Sequence, residues 1–261
     1  MNLKNYLTLV LATAAAASFA EVTTSTTLCR IAVTSGATNT IVALPLKTVN
    51  GTEATIDVSK LVMTDNLHNG DELMYWDTTT VAGGVWARWV LTAGAWAAQE
   101  VHYTVSGDDK VYTPDGTALA CGKGLWLNRK GAGTNVADPF YLYGEVLSGS
   151  GATVAASPGT TAAPVYTLMG ATGGNSLQVN KLVEKKTSGN FTDGDQILVS
   201  DNAGGKKTYT YKTAKSNFCY RAYDADKHKI VWTEVDENTF TIPAGQGFWY
   251  VSVGGNPVFT L

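Results

Sequence analysis

The chain has 261 residues, of which 44% are hydrophobic and 16% are charged, and its formal net charge is −3. Charged residues usually make up about 25% of a globular protein. A deficit filled by Thr, Gly, Ala and Val is typical of β-rich extracellular proteins. A weakly acidic chain whose sequence has no basic clusters argues against nucleic acid and anionic membranes as partners.

The first element along the chain is a predicted signal peptide at residues 1–20. Lys4 supplies its positive charge, Tyr6 to Ala17 is apolar but too short to span a bilayer, and small residues precede Glu21. No second long apolar run follows, so we predict no membrane span in the mature chain. The expected location is extracellular or at the cell surface, with the periplasm as an alternative.

Short alternating segments dominate the rest of the chain and predict an all-β fold. In Lys207–Thr213 both tyrosines fall on one face of a strand, and Val85–Leu91 alternates in the same way. The helix candidates are single turns at Asp57–Val62 and Gln178–Val183, and the side chain of Asp57 or Thr55 is a candidate cap for the first.

The domain prediction is two tandem antiparallel β barrel or sandwich modules at residues 21–147 and 165–261. Residues 148–164 are rich in Gly, Ser, Ala, Thr and Pro, and we interpret them as a linker. The alternative is a long surface loop inside one continuous sheet.

Two motifs recur with nearly the same spacing, which indicates an internal duplication. Residues 69–77 are similar to 193–201, and residues 121–127 are similar to 244–250. Gly70 lies 52 positions before Gly122, and Gly194 lies 51 before Gly245. The repeated motif comprises Gly70, Asp71, Gly122, Gly124, Trp126, Gly194, Asp195, Gly245, Gly247 and Trp249.

We interpret the repeated residues as parts of the scaffold. Each Gly-Asp pair fits a turn in which Gly adopts positive φ and Asp binds nearby backbone. Each Gly-x-Gly step is interpreted as a tight turn that lets Trp126 or Trp249 fill the core of its module. Neither step is a phosphate-binding loop, because the third Gly and a following long helix are missing.

The order of these motifs resembles a recurrent β module of secreted bacterial proteins. That module has an apolar strand ending in LPL, a Gly-Asp strand, a Trp-bearing hairpin and a final motif of the form PGxGYW or PGxGFW. IPAGQGFWY in the second half is close to it, whereas LACGKGLWL in the first half lacks the proline and the second aromatic residue. The resemblance covers most of the mature chain. It implies a secreted β scaffold and brings no catalytic residues with it.

Three cysteines remain after the signal peptide, so one is left over from any pairing. Cys29 and Cys121 lie in the first module and form a possible disulfide, with buried thiols as the alternative; Cys219 lies in the second. Their spacing fits no metal motif, and His68, His102 and His228 are isolated. We therefore predict no metal site and no cofactor.

The candidate ligand-binding residues are Trp86, Trp89 and Trp96, which crowd one hairpin of the first module. Exposed aromatic rings stack on sugar rings and also anchor protein partners. The alternative is that some of them belong to the core, since alternation puts Trp86 and Trp89 on opposite faces.

The leading functional hypothesis is a non-enzymatic structural or adhesive protein of a cell-surface or extracellular assembly. Its partners would be further copies of itself or other surface proteins, and residues 22–27 are a candidate strand for donation to a neighbouring subunit. The second hypothesis is a carbohydrate-binding protein whose exposed tryptophans bind polysaccharide. A glycan-cleaving enzyme is the third, and the sequence offers no identifiable catalytic residues for it.

Overall fold

The structure is a computed structural model, and it confirms the all-β class. It describes residues 28–33, 38–44, 46–47, 55–64, 66–78, 80–81, 84–114, 118–120, 122–146, 153–170, 176–200, 205–235 and 240–261. All strand pairs in these ranges are antiparallel. The predicted signal peptide, the donor segment 22–27, Cys121 and the side chain of Cys29 lie outside the described residues.

The first half of the chain contains thirteen described strands. They are β1 (Leu28–Val33), β2 (Asn39–Ala43), β3 (Leu46–Lys47), β4 (Thr55–Asp57), β5 (Val62–Thr64), β6 (Glu72–Asp77), β7 (Val85–Thr92), β8 (Ala95–Gln99), β9 (Val101–Val105), β10 (Asp108–Tyr112), β11 (Ala118–Ala120), β12 (Gly124–Asn128) and β13 (Phe140–Val146).

The second half contains eleven described strands. They are β14 (Thr153–Ala155), β15 (Val165–Gly170), β16 (Leu177–Gln178), β17 (Lys186–Ser188), β18 (Gln196–Ser200), β19 (Lys206–Lys212), β20 (Asn217–Asp224), β21 (Lys229–Glu234), β22 (Thr241–Ile242), β23 (Gly247–Ser252) and β24 (Val258–Thr260). Three single 3-10 turns complete the described elements, at Val58–Lys60, Val179–Val183 and Thr213–Lys215.

The strands pair in a similar order in the two halves. The first half has a five-stranded sheet, β2-β12-β6-β7-β8, and the second has a six-stranded sheet, β15-β23-β18-β19-β20-β21. In both halves a small sheet is built around the last strand, β13 or β24, and a two-stranded pair joins β4 to β11 or β16 to β22. A 3-10 turn follows β4 and another follows β16, as predicted, and the Asp57 side chain caps the first by accepting from the Ser59 N–H.

Each half has its own hydrophobic core. The second core includes Val154 and Ala156, which fall inside the predicted linker. Val154 belongs to β14, which pairs with β24 through the partners Val154 and Phe259. Val154 and Ala156 are therefore part of the second core, whereas Thr153 and Ala155 are exposed.

The Gly-Asp turns have the predicted geometry. Gly70 and Gly194 both adopt φ of +98°, and the carboxylates that follow them, Asp71 and Asp195, are fully buried. Asp71 accepts hydrogen bonds from the N–H groups of His68 (2.9 Å) and Gly131 (2.7 Å). Each carboxylate thereby joins its turn to a loop that lies far along the chain.

Asp195 accepts more hydrogen bonds than Asp71 does. Its donors are the N–H groups of Thr192, Val253 and Gly255 and the hydroxyl of Tyr250, which lies 2.6 Å away. Burial and the hydrogen bond to Asp195 raise the pKa of the Tyr250 hydroxyl, so it stays protonated and remains a donor. Asp195 therefore connects the turn before β18 to the end of β23 and the loop after it.

The two halves are joined by direct backbone contacts. The N–H of Ala43 donates to the Gly245 carbonyl (2.9 Å), and the N–H of Gly170 donates to the Gly122 carbonyl (2.8 Å). Ala43 pairs with Gly124 in the first half, as Gly170 pairs with Gly247 in the second. The two hydrogen bonds are therefore equivalent: in one the first half donates to the second, and in the other the second half donates to the first.

No helix among the described residues is both long enough and apolar enough to cross a membrane.

We predict that Asp195→Ala lowers the free energy of unfolding by at least about 3 kcal/mol, because it leaves several buried hydrogen-bond donors without an acceptor. Asp71→Ala should cost less, since that carboxylate accepts two described hydrogen bonds. Urea denaturation of both variants measures the difference. Asp226→Ala, at an exposed position, is the control and should change stability by no more than about 0.5 kcal/mol. Equal losses at positions 195 and 71 would contradict the assigned role of Asp195.

Candidate binding groove between the two halves

The repeated tryptophans do not fill the cores, which corrects the expectation from the sequence. In β12 the buried residues are Leu125 and Leu127, so alternation turns Trp126 to the outer face of the sheet. In β23 Phe248 and Tyr250 are buried, and Trp249 points outward in the same way. Trp126 and Trp249 are half-buried, and their ring centroids lie 6.4 Å apart across the two halves.

Two further tryptophans of the first half lie on the same outer face. Trp76 in β6 and Trp86 in β7 are direct cross-strand partners, and their ring centroids are 5.2 Å apart in an edge-to-face arrangement. Gly84 has φ of +87°, and a Cβ there would collide with the Trp76 indole. Gly84 therefore gives the Trp76 ring its space beside the start of β7.

Trp249 is the centre of this aromatic cluster. Its ring contacts Trp86 (6.3 Å between centroids, 83° between planes) and Tyr166 (5.9 Å, 87°), in addition to Trp126. Edge-to-face pairs of this kind contribute about 0.5–1.5 kcal/mol each beyond the burial of their area. The rings therefore hold one another in place without a ligand.

A groove of about 730 Å³ opens over these rings. We call it the tryptophan groove; its described lining is Trp76, Thr78, Trp86, Trp126, Ser157, Pro158, Pro164, Val165, Tyr166, Leu198, Lys206 and Trp249. A second cavity of about 290 Å³ adjoins it and shares Trp126, Leu198, Lys206 and Trp249. The described lining offers flat aromatic surface, three hydroxyls, from Thr78, Ser157 and Tyr166, and one ammonium group, which is a set suited to binding.

One wall of the groove comes from the segment that the sequence predicted as a linker. The N–H of Ser157 donates to the Thr167 hydroxyl (3.2 Å), and the N–H of Gly159 donates to the Ser252 hydroxyl (2.9 Å). These bonds lay the segment along β15 and β23, with Pro158 lining the groove. Residues 157–164 therefore contribute to the candidate site.

The predicted trio of Trp86, Trp89 and Trp96 is not a surface patch. Trp89 is 2% exposed and Trp96 is 3% exposed, and both belong to the core of the first half. Alternation along β7 explains the burial of Trp89, because Val85, Ala87, Trp89 and Leu91 all face inward. Trp96 in β8 pairs with Leu91 and so shares that inward face. Trp86 faces outward, and it alone of the three lines the tryptophan groove.

Sequence reasoning missed Trp76, Tyr166 and Lys206 as groove residues. The signal for Trp76 was its place in β6, where Leu73, Tyr75 and Asp77 are buried and Trp76 falls between them. Tyr166 and Lys206 carried no such signal, because their place in the groove depends on how the two halves meet.

The thiol of Cys219, which the structure describes, is poorly reactive. Cys219 is fully buried and makes no disulfide. Burial raises the pKa of its thiol, which keeps it protonated and poorly nucleophilic.

The contact between the halves also encloses Lys123, whose backbone bridges to Met169. Burial lowers the pKa of Lys123 below its ordinary value, and the Asp77 carboxylate opposes that change in part. The matching bridge, from Val42, is made to Gln246, a neutral residue. The buried charge of Lys123 therefore lowers the stability of the fold, and Gln246 at the matching position of the second half has no such effect.

Comparison of the chain with protein-family models, with curated proteins and with solved structures found no match.

We predict that Lys123→Gln raises the free energy of unfolding at neutral pH, because it removes a desolvated charge. A lysine whose pKa is lowered by folding binds its proton more tightly in the unfolded state. Stability of the parent protein therefore rises with pH towards 10.5, the ordinary lysine value, and the advantage of the variant shrinks over that range. Urea denaturation across this pH range measures both effects. A variant that is less stable at neutral pH would show that the ammonium group is favourable there.

Proposed function

We propose that this chain is a secreted, non-enzymatic binding protein that holds a polysaccharide in the tryptophan groove. The observation that carries the proposal is the cluster of four tryptophans from both halves around Trp249. The signal-peptide pattern at residues 1–20 supports secretion.

The composition of the groove favours sugar over other small ligands. The apolar face of a pyranose ring matches a flat indole, and edge-on neighbours fix the indole that receives it. The Thr78 and Ser157 hydroxyls and the Lys206 ammonium group lie in the same lining and are suited to sugar hydroxyls. Binding sites in general combine a mostly apolar surface with a few such polar groups.

The shape of the site favours a polymer. The tryptophan groove and the adjoining cavity share Trp126 and Trp249 in their linings, so the two spaces lie side by side. Under this proposal a chain of several sugar units spans both spaces.

We further propose that the two halves arose by duplication of one β module. Support comes from the matched order of strands, from the equal φ of Gly70 and Gly194, and from the reciprocal backbone bonds between the halves. Under this proposal the groove lies where the two copies meet, so neither copy has the complete site.

Trp249→Ala should weaken polysaccharide binding about tenfold or more, since it removes the ring that contacts three others. Trp86→Ala should act in the same direction. Isothermal titration calorimetry against dextran, xylan and polygalacturonate measures the affinities. The matched control is Tyr141→Ala, which removes a half-buried ring from the sheet around β13 and should leave affinity unchanged. If none of these polymers binds the intact protein, the proposal fails.

A second function, assembly with further copies or other surface proteins, is favoured by the edge of the six-stranded sheet. Strand β21 ends that sheet, and its Ile230 pairs with Tyr223 of β20. These side chains are 58% and 65% exposed, so the hairpin presents an apolar surface beside a strand edge that has no partner among the described residues. Such edges pair readily with strands of another chain.

Ile230→Lys should abolish any concentration-dependent association, because it places a charge on this surface. Sedimentation velocity over a range of protein concentrations measures the size of the species present. The control is Val111→Lys, at a similarly exposed residue of β10 in the first half, which should leave association unchanged. A parent protein that stays monomeric throughout would contradict the assembly function and leave the binding proposal intact.

A further inference from the structure

The outer face of the six-stranded sheet continues beyond the tryptophan groove towards β21. Across the strands, Leu168 pairs with Trp249, Trp249 with Leu198, and Leu198 with Thr208. Paired residues in a sheet share a face, so this row leads away from the aromatic cluster along one surface. It reaches β19 at Thr208, beside Lys206, which lines the tryptophan groove.

A cleft opens where β19 and β20 separate. Among the described residues these strands pair from Lys212 with Asn217, next to the turn, to Thr210 with Cys219, and the pairing stops at that second pair. The cleft beyond this point measures about 550 Å³ and is lined by Lys206, Lys207, Thr208, Tyr209, Thr210, Tyr220, Arg221 and Trp232. Lys206 lines both this cleft and the tryptophan groove, so the two spaces meet at its side chain.

The cleft concentrates positive charge that no described carboxylate neutralises. Several other cations of this half are paired: Lys212 with Asp193, Lys215 with Glu234, and Lys227 with Asp224. No ion pair is found among the described residues for the three cations of the cleft, Lys206, Lys207 and Arg221. They are exposed on a chain whose net charge is −3, so this region is opposite in sign to the protein as a whole.

An aromatic ring lies beside this charge. Trp232 is 40% exposed and pairs with Arg221 across β20 and β21. The cations of Lys212 and Arg221 lie 4.7 Å and 5.8 Å from its ring centroid, which fixes the ring in place. The cleft thus combines a stacking surface with a guanidinium group, which binds carboxylate and sulfate oxygens in pairs.

We infer that the polysaccharide of the proposed function is anionic, with a carboxylate or sulfate on its repeating sugar units. This inference rests on that function. The polymer lies with its rings on the tryptophan groove and continues past Lys206 into the cleft. There Arg221 binds its acidic groups and Trp232 stacks on a further ring.

The test compares a carboxylated polymer with a neutral one. Polygalacturonate and dextran are titrated into the full mature protein by calorimetry, at low and at high salt. Polygalacturonate should bind about tenfold more tightly than dextran at low salt, and this advantage should disappear as salt screens the charges. Arg221→Gln should reduce the advantage by a similar factor and leave the affinity for dextran unchanged. The control is Lys185→Gln, which removes an exposed charge outside the cleft.

The possible outcomes separate this inference from the proposed function. Equal affinity for both polymers, unaffected by Arg221→Gln, would overturn the inference and leave sugar binding in place. Absence of binding to either polymer would remove both. Polyglutamate is the last probe: if it displaces polygalacturonate and binds as tightly, the cleft recognises an acidic peptide and the assignment to a polysaccharide is wrong.

Discussion

The close approach of the two halves at their Gly-x-Gly steps is the contact on which the rest of the structure depends. A Cβ at position 247 would collide with Cγ2 of Ile41 in the first half, and one at position 124 would lie 2.9 Å from the carbonyl oxygen of Met169 in the second half. Real Cβ atoms essentially never come so close to another heavy atom. Gly124 and Gly247 are therefore required for contact between the halves. The backbone bridges from Val42 to Gln246 and from Lys123 to Met169 depend on this contact.

This contact determines where the tryptophans meet. Strands β12 and β23 both begin at the interface, and in each the third residue is the outward-facing tryptophan. Because the starts of the two strands are held together, the outer faces converge and Trp126 comes to rest against Trp249. The rings are positioned before any ligand arrives, which lowers the ordering cost of binding.

Much of the fold could be predicted from local pattern, since alternation, the Gly-Asp turns and the single helical turns depend on neighbours in the chain. The outward position of Trp126 was also within reach, because Leu125 and Leu127 on either side are typical core residues. What the sequence could not supply was the relation between the halves. Lys206 and Arg221 are not neighbours in the sequence. They line the same cleft because β19 and β20 stop pairing there.

The proposed duplication allows the residues at matching positions of the two halves to be compared. At the core positions of the repeated motif the two halves differ: Leu125 matches Phe248, and Leu127 matches Tyr250. Cores accept such exchanges when neighbouring volumes adjust. Between these positions lies a tryptophan in both halves, although its outward face imposes no core volume to be filled. A residue type that stands at the same position in both halves, where packing allows exchange, indicates a role on the outer face, where Trp126 and Trp249 contact each other and line the groove.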